Sequence, residues 1–157
     1  MSVITRGELR SIVLLAGLLL LAALAQPPLS AAGTVTLTAG TLDYSAASGE
    51  QNRVLIFRSG SGGFRVFDTS SAVTAGSGCA SISANEAFCP AEMGVPLGNP
   101  AIHVAGQDLN DFIEVDVPGL TIALEGGEGA DELQGGASLN IYERLAALDT
   151  TNNYEGR

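Results

Sequence analysis

The sequence predicts an all-β fold, a parallel β-helix or β-roll solenoid with a short C-terminal helix, and three observations carry that expectation. Short β-type runs recur between clusters of Gly, Ser, Asn and Asp. The composition is rich in glycine and poor in rings, with 20 Gly against five Phe, three Tyr and no Trp, so small branched side chains must fill a thin interior. Residues 126–134 match the nonapeptide G-G-x-G-x-D-x-U-x at every fixed position, and Gly135-Gly136 opens the next copy in phase.

The first 25 residues read as a secretory signal peptide. Arg6 and Arg10 precede an unbroken apolar run from Ile12 to Ala25, which closes on Ala23-Leu24-Ala25. At about 14 residues the run lies inside the range of a signal h-region and is too short to span a bilayer as a helix. Cleavage after Ala25 and cleavage as late as Ala32, at Ser30-Ala31-Ala32, both satisfy the small-residue rule. The remaining chain is long enough for one domain and too short for two. Removing residues 1–25 takes Glu8, Arg6 and Arg10 from the 17 acidic and seven basic residues, and no Lys occurs anywhere. Such a field attracts cations and repels phosphate, which argues against nucleic acid as a partner. The mature chain has no membrane span, and the expected location is secreted and bacterial, with surface attachment left open.

The predicted β-solenoid domain covers 33–136. Runs 34–38, 41–45, 53–58 and 64–68 read as strands. Val54, Ile56 and Arg58 alternate with Leu55 and Phe57, so that strand is apolar on both faces, the pattern of a strand covered on both sides. Ser59-Gly60-Ser61-Gly62-Gly63 is a turn. Cys79 and Cys89, an even pair in an exported chain, are expected to form a disulfide clamping a small hairpin. The only histidine, His103, and the two cysteines lack the companions of a zinc site. Beyond Pro100 the inward set is Ile102 and Val104, then Ile113, Val115 and Val117, then Leu120, Ile122 and Leu124. Phe112, Glu114 and Asp116 take the opposite face. Two antiparallel hairpins would give a similar alternation.

The nonapeptide region runs from 106 to 136. A degraded copy, Gly106-Gln107-Asp108-Leu109-Asn110-Asp111-Phe112-Ile113-Glu114, keeps the first Gly, the Asp and the apolar position. Asp111 and Asp131 are 20 residues apart, close to one circuit of a two-sided coil, which would stack them on one edge. From Gly106 to Glu132 there are eight acidic residues and no basic one. Glycines permit a tight turn whose carbonyl oxygens gather inward, the Asp adds a carboxylate, and a hard cation is satisfied by such oxygens.

The leader, the cysteine segment ending in Cys89-Pro90, the alternating strands and the Gly-Gly repeat together resemble the RTX, or haemolysin-type, calcium-binding repeat proteins of bacteria. The resemblance covers about residues 33–136 and implies calcium as cofactor. It implies a site built from Asp131 and Asp111 carboxylates with Gly127 and Gly129 shaping the backbone. Such proteins usually carry further repeats, whereas this chain has one clear copy.

In the tail, 137–157, Ile141, Leu145 and Leu148 recur at i, i+4 and i+7, which predicts a short amphipathic helix capping the stack. No G-x-S-x-G, H-E-x-x-H or phosphate-loop motif is present, and no acid, base and nucleophile set can be assembled around His103. The sequence therefore predicts a secreted, non-enzymatic calcium-binding protein. Its alternatives are an extracellular adhesion or surface interaction module with a protein or glycan partner, and a truncated carrier region of a larger exported enzyme or toxin.

Overall fold

The computed structural model describes residues 31–91, 101–135, 141–144 and 150–153. The predicted signal peptide, 1–25, lies outside the described residues. In chain order the strands are β1 (Ala32–Thr38), β2 (Thr41–Ser45), β3 (Arg53–Arg58), β4 (Phe64–Asp68), β5 (Ala72–Ala75), β6 (Ala80–Ser83) and β7 (Glu86–Cys89). There follow β8 (Ile102–Ala105), β9 (Phe112–Asp116), β10 (Ile122–Glu125), β11 (Glu132–Gly135), β12 (Ile141–Arg144) and β13 (Thr150–Asn153). They form a six-stranded sheet, β12-β10-β8-β2-β1-β5, and a seven-stranded sheet, β13-β11-β9-β3-β4-β7-β6.

Both sheets are mixed, and this corrects the expected fold. The structure is not a parallel β-helix or β-roll. Parallel pairing joins β2, β8, β10 and β12 in one sheet and β3, β9, β11 and β13 in the other. The other half is mainly antiparallel, through β1/β2, β3/β4, β4/β7 and β6/β7, with β5 added to β1 in parallel. Local turn chemistry dictates that half. Ala39 and Gly40 both take positive φ, 50° and 82°, which folds β1 back onto β2 through a two-residue turn. Gly62 and Gly63, at 86° and 98°, close the five-residue turn 59–63 that folds β4 back onto β3.

The predicted tail helix is also corrected: no helix occurs among the described residues, and Ile141–Arg144 is strand β12. It pairs in parallel with β10, from Ile122↔Ile141 to Glu125↔Arg144. A hydrogen-bonding edge on β10 and the β-forming Ile141 and Tyr142 outweigh a short run of helical periodicity, because an isolated helix of this length is marginal in water.

One hydrophobic core joins the two sheets. Val35, Leu42, Tyr44, Val54, Ile56, Phe64 and Val66 fill it on the antiparallel side. The inward set read from the alternation fills the other, with Ile102, Val104, Ile113, Val115, Val117, Ile122 and Leu124 fully buried and Leu120 partly so. Cys79 and Cys89 are disulfide-bonded across the β6/β7 hairpin, and Cys89 is buried in the core.

Candidate functional site

Three corners connect the sheets at one end of the parallel ladder. Residues 46–52 join β2 to β3, 106–111 join β8 to β9, and 126–131 join β10 to β11. The two later corners are the degraded and complete nonapeptide turns, and their equal length keeps them in register. Asp108 and Glu128 form a parallel bridge, Glu128 N–H donates to Gln107 O at 3.0 Å, and Ala130 N–H donates to Asn110 Oδ1 at 2.9 Å.

Residues Asn52, Asp111 and Asp131, each immediately before its strand, stack in a column. Asp131 Oδ1 accepts the Asp111 N–H at 2.7 Å, and Asp111 Oδ1 accepts the Asn52 N–H at 2.7 Å. The main chain bonds alongside: Phe112 N–H donates to Asn52 O at 3.0 Å and Glu132 N–H to Asp111 O at 2.8 Å. The structure thus brings the two predicted aspartates together, at 3 % and 2 % exposure.

The glycines have a packing reason of their own. A Cβ at Gly127 (φ +102°) would lie 2.1 Å from Gln107 O, and one at Gly129 (φ +150°) would lie 1.6 Å from Leu109 O. Each corner presses carbonyl oxygens onto the next. In the degraded copy Gln107 (φ 79°) and Leu109 (φ 70°) also take positive φ without glycine, although Leu109 differs by 80° from Gly129. Loss of the glycine letters therefore leaves positive φ at both positions.

Oxygen atoms converge over Gly106. The point where its Cβ would stand is 2.3 Å from Asp111 Oδ2 and 2.5 Å from Gly126 O. Asp111 Oδ2 is buried and meets no hydrogen-bond donor among the described residues. Burial pushes the Asp111 carboxyl up to about 7, against the opposing pull of the Asn52 amide, with Asp131, Asp68 and Asp108 adding repulsion. A polar cleft of about 500 Å³, lined in part by Asn52, Ser70, Asn110, Asp111 and Glu132, lies beside Asp111.

As a cation site, the corner offers the Asp111 and Asp131 carboxylates and the Gly126 carbonyl; the Gln107 carbonyl is already taken by Glu128 N–H. Among the described residues no three His, Cys, Asp or Glu side chains surround one metal position. A cation here would complete its shell with carbonyls and water. The donors are all oxygen, which suits calcium rather than a softer metal.

Two neighbours of the aspartates escaped the sequence reading. Asn52 is the first member of the column, but it lies 59 residues before Asp111, because β4 to β7 are inserted between its corner and the next, and so it falls outside the 20-residue spacing. Asp68 is fully buried and accepts from Tyr44 Oη at 3.0 Å, Asn52 Nδ2 at 2.8 Å, and the amides of Arg53, Ser70 and Ser71 at 3.1, 2.9 and 3.1 Å. Burial and the adjacent Asp68 hold the Tyr44 hydroxyl protonated, far above its ordinary range. Asp68 is therefore a saturated structural acceptor. On the corner's exposed rim, Asp108 accepts Ser48 Oγ and Gly49 N–H, both at 2.6 Å, which lower its carboxyl below the usual value.

His103 stands apart on the outer face of the six-stranded sheet. Its Nδ1 lies 3.3 Å from Asp43 Oδ2 and its Nε2 3.7 Å from Glu125 Oε1, so the two carboxylates meet opposite ends of the ring. No Ser, Thr or Cys hydrogen-bonds it among the described residues. No family model matches the chain, and neither does any curated protein or solved structure.

Proposed function

We propose that the protein is an exported calcium-binding structural protein, with the cation held where corners 106–111 and 126–131 stack. Asp111 and Asp131 supply carboxylate oxygen, Gly127 and Gly129 let the two backbones approach, and carbonyls and water complete the shell. The single observation that supports this most is Asp111 Oδ2, a buried carboxylate oxygen with no donor, set beside the Gly126 carbonyl. A hard cation bound by these oxygens would supply the positive charge that a buried carboxylate lacks. The reading agrees with the resemblance of 126–134 to RTX-type repeats and includes no catalytic step. Export agrees with the Cys79–Cys89 disulfide.

With few carboxylates the site should be weak, on the order of the 10⁻⁴ to 10⁻³ M of extracellular modules. Calcium at about ten times its dissociation constant would add about 1.4 kcal/mol to stability by mass action. The test is calorimetry and thermal melting in millimolar calcium for the parent, Asp131→Ala and Asp111→Asn. Heat release and a raised melting temperature in the parent, lost in both variants, are expected. A parent that gives neither signal, or variants that respond like the parent, would overturn the assignment.

A further inference from the structure

The buried charged side chains among the described residues are four carboxylates, Glu50, Asp68, Asp111 and Asp131, with no buried arginine or histidine beside them. Asp68 is answered by its donors, and Asp111 and Asp131 belong to the cation site of corners 106–111 and 126–131. Glu50 stands outside both arrangements. It lies in corner 46–52, which keeps neither the fixed glycines nor the aspartate of the nonapeptide, and it is 8 % exposed. Two residues on, Asn52 is 2 % exposed, and its amide has one orientation open to it. Nδ2 donates to Asp68 Oδ2 at 2.8 Å; a carboxylate that also takes the Tyr44 hydroxyl can only accept, so the amide cannot be turned over. Asn52 Oδ1 is thereby directed away from Asp68, and it meets no hydrogen-bond donor among the described residues. Asp68, Glu50 and Asp111 all act electrostatically on the Tyr44 hydroxyl, so Glu50 and Asn52 both lie around it.

We propose that corner 46–52 holds a second hard cation, ligated by Asn52 Oδ1 and the Glu50 carboxylate, with main-chain carbonyls and water filling the shell. Calcium loops draw side-chain oxygens from alternate residues around a glycine bend, because that spacing aims successive ligands at one point. Glu50 and Asn52 have this spacing, and Gly49 before them supplies the bend at φ 82°. A carboxylate with a neutral amide oxygen is a calcium-type pair. Both side chains are too enclosed for a substituted ammonium or guanidinium group, whereas a monatomic ion brings positive charge without bulk. A single buried water would satisfy the Asn52 oxygen without adding charge, and it is the outcome that the experiment separates from an ion. The two ligand sets share no residue, so either cation site stands without the other. With one carboxylate against two, the second site binds calcium more weakly, at or above about 10⁻³ M, so calcium that fills the first adds little heat here.

Terbium, a trivalent oxygen-seeking stand-in for calcium, reads this site through Tyr44. The Tyr44 hydroxyl and the Asn52 amide meet at one oxygen, Asp68 Oδ2, at 3.0 and 2.8 Å, so an ion at Asn52 Oδ1 is close enough to be excited through the phenol ring. The experiment is terbium titration of the exported, disulfide-bonded protein, counting bound ions by equilibrium dialysis and following tyrosine-excited emission. Far-UV circular dichroism confirms the fold of each variant. Glu50→Gln should bind one ion fewer than the parent and lose most of the emission. Asp131→Ala should also lose one ion, from the first site, yet keep most of the emission, and Glu50→Gln added to it should remove the second ion and the emission together. Tyr44→Phe should keep the parent's count and lose the emission. A Glu50→Gln protein with the parent's count and emission overturns the proposal and leaves water as the partner of Asn52. Emission that survives Tyr44→Phe overturns it too, because the ion would then sit on carboxylates of the corner's rim such as Asp108. Loss of an ion in Glu50→Gln with none lost in Asp131→Ala would remove the first site and keep the second.

Discussion

Replacing Gly127 by Ala separates the two reasons for a glycine, because Gly119 supplies a control. Gly119 has φ +78° and nothing within 4 Å of where a Cβ would stand. Gly119→Ala therefore meets left-handed strain of about 1–2 kcal/mol, partly offset by lower chain entropy of the unfolded state, for a net loss of about 1 kcal/mol. Gly127 has a comparable φ of +102°, but its Cβ would lie 2.1 Å from Gln107 O. That oxygen belongs to the main chain, so no side-chain rotation relieves the overlap, and the corners must part by about 1 Å to reach ordinary contact. Parting them strains the Glu128 N–H bond to Gln107 O, 3.0 Å, and the Asp111 N–H bond to Asp131 Oδ1, 2.7 Å. The first is worth about 1 kcal/mol and the second, being charge-assisted, about 1.5–3 kcal/mol. Gly127→Ala should therefore cost about 3–5 kcal/mol. Urea unfolding followed by far-UV circular dichroism reads the difference directly. Equal losses at the two positions would refute the close stacking of corners 106–111 and 126–131. The calcium response supplies a second readout on the same variants: Gly119→Ala should keep it and Gly127→Ala lose it.

Two further perturbations test the acidic column and the hairpin clamp. The Asp111 carboxyl is raised in the folded state from 3.8 to about 7, so its protonated form favours folding. Its stabilising contribution is complete below about pH 4 and is lost as pH rises through about 7. Without calcium, parent stability minus Asp111→Asn stability should fall across that window, measured by denaturant melts at several pH values, and a flat difference would contradict the buried, repelled carboxyl. Removing the disulfide by Cys79→Ser with Cys89→Ser should cost about 3 kcal/mol for a loop of this length; a loss under about 1 kcal/mol would show that the β6/β7 hairpin is fixed by strand pairing alone.

What was legible in the sequence followed from local periodicity. Alternation with period two placed Ile102, Val104, Ile113, Val115, Ile122 and Leu124 in the core, because a strand has only two faces and a one-residue slip would expose the whole set. Repeat spacing brought Asp111 and Asp131 together for a similar reason: equal corner lengths carry a parallel register from one layer to the next. The overall topology was not legible in this way. Alternation does not report whether a neighbouring strand runs parallel or antiparallel, and the deciding information sat in two small turns. Gly62-Gly63 reads only as part of a turn, yet its positive φ values, and those of Ala39-Gly40, reverse the chain and build the β3/β4 and β1/β2 pairs.

The column before β3, β9 and β11 shows how chemistry can outlast its sequence signature. Asn52 fills the position of the two aspartates with an amide, and its side chain donates to Asp68 while its main chain donates to Asp111. A third carboxylate there would add to the charge already carried by Asp68, Asp111 and Asp131, all buried; an amide supplies the donor that Asp68 requires instead. The column thus changes from acid to amide where it reaches the antiparallel half, and the second carboxylate oxygen of Asp111 meets no hydrogen-bond donor among the described residues. An oxygen in that position is stabilised by a proton or by a metal cation, and the two compete. Calcium binding should therefore weaken as the solution is acidified through about pH 7, the region where Asp111 gains its proton. Calorimetric titrations at pH 5.5 and 8 decide this: tighter binding at the higher pH, with proton release on binding near neutrality, is expected, whereas equal affinity at both would place the cation away from Asp111.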